Sequence, residues 1–242
     1  MPVTGPEGPD STQIRRMFDV LAPRYDLFNH LMSFGLASAW RRRALKGLKP
    51  GMKVLDVGCG TGDLAMEAAR QVGSRGEVIA VDFSEKMLEF AKRREAKEAH
   101  GRTKAVLIRW VHEKAEDLPI AANASDLAVS GFVLRNLYQN IDRILAGVRD
   151  SLNSGGRIAF LDFTEPPNPF LRRAWRFYMD TVADFYGKLL FGRDYPEFYL
   201  TESASRFSKP ADFERRLREA GFKDIRTEFM MFGIIVLYRA VK

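Results

Sequence analysis

In the stretch Val54-Leu55-Asp56-Val57-Gly58-Cys59-Gly60-Thr61-Gly62-Asp63, three glycines occupy alternate positions directly behind an apolar run. Three missing Cβ atoms along one edge of a turn let a ligand approach the main chain. Residues 53–57 read as a short buried strand and 63–72 as a helix, with Leu64, Ala68 and Val72 on one face. A strand, a glycine turn and a helix start form a nucleotide-binding corner of an α/β fold.

The rest of the chain continues that pattern. Strands are expected at 77–81, 105–111, 126–132 and 157–163, with helices at 85–96 and 139–152 between them. Such alternation predicts a mostly parallel, seven-stranded sheet with helices on both faces. Two strands near 223–230 and 233–240 follow a helix opened by Pro210 and Asp212 and closed by Gly221, and their short separation predicts an antiparallel hairpin. Ahead of the glycine turn, Ile14, Met17, Phe18 and Leu21 mark a helix that Pro23 ends, and a second helical stretch covers 36–48.

A dinucleotide fold would carry G-x-G-x-x-G, whereas here the third glycine comes one residue early and Asp63 follows it. A carboxylate at the mouth disfavours a pyrophosphate and suits a cationic ligand such as S-adenosylmethionine, which has a sulfonium, an ammonium and no phosphate. Asp56 adds a second acid, or else bonds the amides of the turn. Asp82 ends the second strand, where an acid can accept from both ribose hydroxyls, and Ser84 is placed to cap the next helix.

Composition narrows the setting. A chain of 242 residues holds one domain with elaborations. Its net charge of +7 permits nucleic acid, an anionic membrane or an acidic ligand and selects none of them. The single cysteine, Cys59, rules out a disulfide framework and a cysteine-based zinc cluster, so the chain reads as cytoplasmic. Residues 1–12 read as a flexible tail without the features of a secretory signal, and the apolar run at 229–238 is too short to cross a bilayer. No metal-ligand spacing occurs, so no metal is expected. His30, His100 and His112 lack partnered carboxylates and read as surface or boundary residues.

Further elements carry a resemblance. They are MFDVLAPRYDLFNHLMSFGLASAWRR (17–42), AEDLPI (115–120), GFVLRNL (131–137), GGRIAFLDFTEPP (155–167), FYLTESASRF (198–207) and GIIVLYRAVK (233–242). Together they resemble, in order and over nearly all of 13–242, the UbiE/MenG-type C-methyltransferases of quinone biosynthesis. The resemblance implies a class I methyltransferase, Rossmann-like, that uses S-adenosylmethionine to methylate a ring carbon of an apolar polyprenyl quinol, either demethylmenaquinol or a benzoquinol. It implies a helical cap (13–50), a cofactor-binding half (51–163), a substrate lid insertion (164–207) and a closing helix with hairpin (208–242).

Carried over residue by residue, the resemblance makes Gly58, Gly60, Gly62 and Asp82 cofactor-binding, with Asp56 and Asp63 lining the loop. Thr61, Phe83, Ala115, Glu116 and Ser130 complete that set. Tyr25 would close over the methionine end, and Arg135 and Asn136 would stand at the acceptor, Arg135 stabilising a developing phenolate and Asn136 orienting a ring oxygen. A purely structural role for Arg135 would be an ion pair with a carboxylate such as Asp142. Two positions depart from the family pattern: Lys114 replaces an Asp or Asn that meets the adenine amine, and Val133 replaces a glycine.

Twelve of the 28 aromatic residues lie between 160 and 199, from Phe160 to Tyr199. They predict an apolar wall, either a second small core or a lid over ring and tail. Arg172, Arg173 and Arg176 beside Trp175 and Phe177 suit peripheral contact with an anionic membrane surface, and the aromatic C-terminal half allows a homodimer. An RNA methyltransferase is disfavoured: there is no N-P-P-Y-type element, and the basic residues are dispersed among acids. The sequence is also compatible with an enzyme of another apolar small molecule and with a non-catalytic scaffold that binds adenosylmethionine without turnover.

Overall fold

The computed structural model describes residues 11–99, 107–192, 195, 201, 203 and 209–242. Seven strands form one sheet: β1 (Lys53–Val57), β2 (Glu77–Asp82), β3 (Leu107–His112), β4 (Ser125–Gly131), β5 (Leu152–Phe163), β6 (Lys223–Met230) and β7 (Ile235–Val241). Their order is β3-β2-β1-β4-β5-β7-β6, parallel from β3 to β5 and antiparallel at the last two pairings. The strand order reverses between β1 and β4, and at such a switch point the carboxyl ends of the strands leave a crevice for a ligand.

The last two strands form the expected hairpin, with β7 between β5 and β6. Composition explains which strand is interior. β7 buries Ile235 through Tyr238 in succession, whereas β6 alternates half-buried and exposed residues, as an edge must. The parallel strands are apolar on both faces. Val54, Val78, Val129 and Leu161 meet α3 (Ala37–Ala44) and α4 (Asp63–Val72) on one side. Leu55, Ile79, Ala128 and Phe160 meet α6 (Ile141–Ser151) and α9 (Pro210–Glu219) on the other. Between β2 and β3 runs α5 (Glu85–Ala99), capped as expected by Ser84, whose Oγ accepts the Met87 amide at 3.1 Å.

Several boundaries differ from the sequence reading. α3 stops at Ala44 rather than near 48 because Gly47 takes a left-handed φ of +88°. Arg239 donates to the Ala44 carbonyl and Arg157 to that of Gly47, so arginines from the sheet satisfy the helix end. β5 starts at Leu152, directly after α6, five residues before the expected strand. The sequence reading contains no helix at α2 (Tyr25–Met32), which follows α1 (Ser11–Leu21) through a single 3-10 turn, Ala22–Arg24. Phe28 is the only buried side chain of α2, too little for a periodic signal.

α1, α2 and α8 (Asp184–Phe191) share an apolar cluster of Ile14, Met17, Leu21, Phe28 and Tyr195, which roofs the carboxyl edge of the sheet. α7 (Pro169–Tyr178) continues through a π-helical turn, Met179–Ala183, into α8. Its Trp175 and the π turn's Met179 pack on Phe163 and Ile234. Phe198 and Tyr199, expected in the aromatic wall, lie outside the described residues. The face opposite the roof depends on Phe213 of α9, whose ring lies 4.6 Å from that of the fully buried Tyr238. Phe213→Ala is expected to cost about 3–5 kcal/mol in urea unfolding.

Candidate active site

The glycine turn is closed by its own hydrogen bonds. Gly58 and Cys59 donate their amides to the Val81 carbonyl at 2.8 and 3.0 Å, and Gly62 donates to Cys59 O at 2.9 Å. Gly60 donates to Asp82 Oδ2 at 2.8 Å, and Asp82 Oδ1 accepts the Ser84 amide at 2.9 Å. These four turn amides are therefore already engaged, and a pyrophosphate would find none of them open.

Each glycine is bare for a different reason. A Cβ on Gly58 would come within 2.6 Å of Val133, and one on Gly62 within 2.6 Å of the Trp110 ring. A Cβ on Gly60 would meet nothing within 4 Å. The sequence assigns all three to the ligand; Gly58 and Gly60 line the cleft described below, and at Gly58 and Gly62 the missing Cβ also serves packing against Val133 and Trp110. All three have positive φ. Val133, one of the two departures from the family pattern, thus fills space above Gly58.

Around this turn lies an open cleft. It is lined by Asp56, Gly58, Gly60, Thr61, Asp63, Asp82, Phe83, Ala115 and Glu116, as expected, and by Asn136 and Tyr25. Gly62 and Ser130 do not line it. Ser130 is buried and donates its hydroxyl to the Val57 carbonyl at 2.7 Å, which holds β4 against β1 beneath the cleft. Lys114 lines the cleft at the position of the second departure, and Glu116 accepts a hydrogen bond from Asn140 Nδ2 at 2.6 Å.

The acids divide the work. Asp82, fixed by two amides, supports the turn, a role that the sequence leaves open for Asp56. Burial raises its pKa to about 6, and the amides of Ser84 and Gly60 oppose that rise. Asp56 is fully buried, and neither oxygen closes a well-formed hydrogen bond; the Ala65 amide gives the anion modest help. Burial first, then the neighbouring Asp82 charge, push its pKa up to about 8. A lone carboxylate beneath an open glycine is what a cationic group would neutralise. Asp63 accepts from Arg41 and Arg94 at 2.7 Å each, so its negative charge is balanced by protein groups. Arg94 also pairs with Asp26 at 2.7 Å, and Thr61 donates to Asp26 at 2.5 Å, which ties α2 to the turn.

Beyond Tyr25 and Phe132 lies a second, partly open cavity. Its walls are largely apolar, among them Phe28, Trp40, Phe163 and Met179, and Phe18, Tyr25, Asn29, Arg41 and Phe132 border both spaces. Phe132 adopts φ +64°, a left-handed strain at the end of β4. Its amide donates to Leu161 O and its carbonyl accepts from Arg135. Arg135 borders the second cavity and is paired at 2.8 Å with the fully buried Asp162. Its Nε donates to Ser203 Oγ at 3.2 Å. The carboxylate partner is thus Asp162; Asp142 pairs instead with Arg216. Removing one member of such a buried pair costs about 3–5 kcal/mol, so Arg135 is a structural member of this wall whatever else it does.

Burial is the main cause that raises the Tyr25 phenol above its ordinary range, and Arg135 opposes it. Burial, with the Asp82 and Asp56 charges, also pushes the Cys59 thiol well up, which disfavours the thiolate. His30 and His112 are exposed and line neither cavity, and His100 lies outside the described residues. Arg41 and Asn29 are wall residues that the sequence reading missed. A cation inside a cap helix gives no signal until the helix is placed against the turn.

Two outcomes follow from this geometry. Gly62→Ala is expected to lower stability by about 1–3 kcal/mol from strain at positive φ plus the Trp110 clash. Gly60→Ala, free of that clash, is expected to weaken cofactor binding more than Gly62→Ala, read by calorimetry beside urea melts. For Asp56, a folded pKa above the unfolded one means its contribution to stability is intact below the ordinary carboxylate range and is lost as pH rises through about 8. A cationic ligand prefers the ionised form, so binding at pH 7 is expected to release a proton in calorimetry across two buffers. Asp56→Asn should remove that release.

The chain resembles known proteins along nearly its whole length. The model of the ubiE/COQ5 methyltransferase family matches residues 7–242. A curated Staphylococcus aureus protein, demethylmenaquinone methyltransferase, is 32% identical over 233 residues, covering 95% of this chain and 93% of that one. A SAM-dependent methyltransferase of Thermotoga maritima shares the fold with a TM-score of 0.62 at 20% identity, over 94% of this chain and 99% of that one. Phosphoethanolamine N-methyltransferase 2 of Haemonchus contortus, in complex with S-adenosyl-L-methionine, has a TM-score of 0.58 at 17% identity, over 85% of this chain and 52% of that one. The fold is that of the class I methyltransferases, the cofactor is S-adenosylmethionine, and the chain belongs to the ubiE/COQ5 methyltransferase family.

Proposed function

We propose that this methyltransferase alkylates a ring carbon of a polyprenyl naphthoquinol, the reduced form of a demethylmenaquinone. The observation that carries the reading is the apolar second cavity, which shares a wall with the cofactor cleft. An aromatic ring held there would stand directly beyond the methyl donor, and its isoprenoid tail would find Met17, Leu21, Phe28 and Met32 around it. The name of the Staphylococcus relative favours a naphthoquinol over a benzoquinol.

When bound, the cofactor supplies a methyl group on a sulfonium. The chain supplies alignment, and holding donor and acceptor in register contributes on the order of 7–11 kcal/mol. Tyr25 stays a neutral phenol at neutral pH and acts as a wall and a positioning group rather than a base. Arg135 and Arg41 both favour negative charge at the Tyr25 oxygen. The same field acts on a quinol hydroxyl placed beside it and favours the phenolate, whose electron density reaches the attacked carbon. Asn136, on the cleft side of that wall, is the group proposed to orient a ring oxygen. Arginine remains protonated, so Arg135 works by its charge and not as a base.

An isoprenoid substrate resides in a bilayer, so the protein's surface must meet one. No helix among the described residues is long and apolar enough to cross a membrane. Phe170 and Phe177, seven residues apart on α7, are 79% and 70% exposed. Arg173 lies between them, while Arg172 and Arg176 pair with Glu165. This face is proposed to rest on an anionic bilayer, from which the substrate is drawn.

The test is transfer of labelled methyl to chemically reduced demethylmenaquinol, with a benzoquinol analogue and bulk tRNA in parallel. Label is expected on a naphthoquinol ring carbon. Label on tRNA, or none on any quinol with cofactor binding intact, would overturn the reading.

A further inference from the structure

We infer that Arg41 of α3 binds the carboxylate of the cofactor's methionine end, and that it does so by exchanging its ion pair with Asp63. The inference rests on the cofactor assignment alone and is independent of which acceptor is methylated.

The methionine end of adenosylmethionine is a zwitterion whose ammonium and carboxylate share one carbon. The cleft presents two carboxylates, Asp56 and Asp63, on or beside the glycine turn. Wherever the ammonium meets these acids, the carboxylate falls within the same small volume and needs a cation there. Arg41 lines the cleft and its side chain is 15% exposed. Its charge acts directly on Asp56, Asp26 and Tyr25. The other arginines of the region are committed elsewhere. Arg135 faces the second cavity and holds Asp162, and Arg94 bridges Asp26 and Asp63 and lines neither cavity. Lys114 also borders the cleft, but next to Ala115 and Glu116, beyond the tip of β3 and away from α3.

The present pairing allows the exchange. Among the described residues, Arg41 makes its ion pair with Asp63, through one guanidinium nitrogen at 2.7 Å. A guanidinium has five N–H donors in a planar fork suited to a carboxylate. When it turns to the ligand, Asp63 is not stranded, because Arg94 remains on its other oxygen. The oxygen that Arg41 leaves is then open to the ligand ammonium. One ion pair between protein groups becomes two between protein and ligand, with no charge left unmatched.

Two ligands isolate the carboxylate. S-adenosylhomocysteine has the amine and the carboxylate with a neutral sulfur. S-adenosyl-3-thiopropylamine is the same molecule without the carboxylate. Calorimetry on the full-length protein is expected to show wild type binding the first at least about tenfold more tightly, the scale of one charge-assisted hydrogen bond. In Arg41→Gln that ratio should collapse towards one, with affinity for the decarboxylated ligand kept within about threefold. Arg41→Met, which keeps most of the stem, gives the same comparison if the Gln variant unfolds. If Arg41 only latches the cap to Asp63, both ligands will weaken together and the ratio will persist, which overturns the inference. An unchanged ratio with unchanged affinities overturns it equally. Failure of wild type to bind either ligand would instead speak against the cofactor site itself.

Discussion

The Asp63 carboxylate holds two arginines from different elements: Arg41 from the cap helix α3 and Arg94 from α5. Arg94 carries the connection on to Asp26 of α2, and Asp26 carries it back to Thr61 of the turn. This ring of charges sets the register of the cap helices against the glycine turn. Each of these pairs is partly exposed, where a single ion pair is worth little, but a network shares the cost of ordering its side chains. Apolar contact between α1, α2 and α8 supplies the bulk of the cap's hold, and the charges fix its register.

The second cavity follows from the same arrangement. With α1 and α2 fixed above the sheet edge, their apolar faces and the α7–π–α8 segment enclose a space that the strands alone could not. Phe132 divides it from the cleft, and its left-handed backbone is held by Leu161 and by Arg135, itself anchored on Asp162. Buried charge and backbone strain therefore concentrate at one wall, between the donor site and the proposed acceptor site. That is where a transferase needs a fixed distance between its two ligands.

Much of this was legible in the sequence because it depends on local chemistry. The strand before the turn, the helix after it and the Ser84 cap follow from residues adjacent in the chain. The mainly parallel order follows from alternation, and the apolar excess of Ile235–Tyr238 over Lys223–Met230 accounts for which hairpin strand is interior. What stayed hidden depends on partners far away in sequence. Val133 and Trp110, which a Cβ on Gly58 or Gly62 would meet, come from elsewhere in the chain. Arg135 finds Asp162 because β5 runs beside β4, a register that spacing does not reveal. α2 has one buried residue and no pattern to read. Arg41 lies in a run of three arginines and is distinguished only by the direction it faces.

A methyl donor and an apolar ring are proposed to meet across the Tyr25–Phe132 wall. A bisubstrate ligand tests it most directly: S-adenosylhomocysteine extended from its sulfur by a short linker to a redox-stable naphthol ring. If the two cavities are one functional site, calorimetry will show it binding at least about tenfold more tightly than S-adenosylhomocysteine, as expected when a second contact becomes intramolecular. Binding no tighter than S-adenosylhomocysteine itself would mean that the second cavity does not receive the acceptor ring, and would contradict the account.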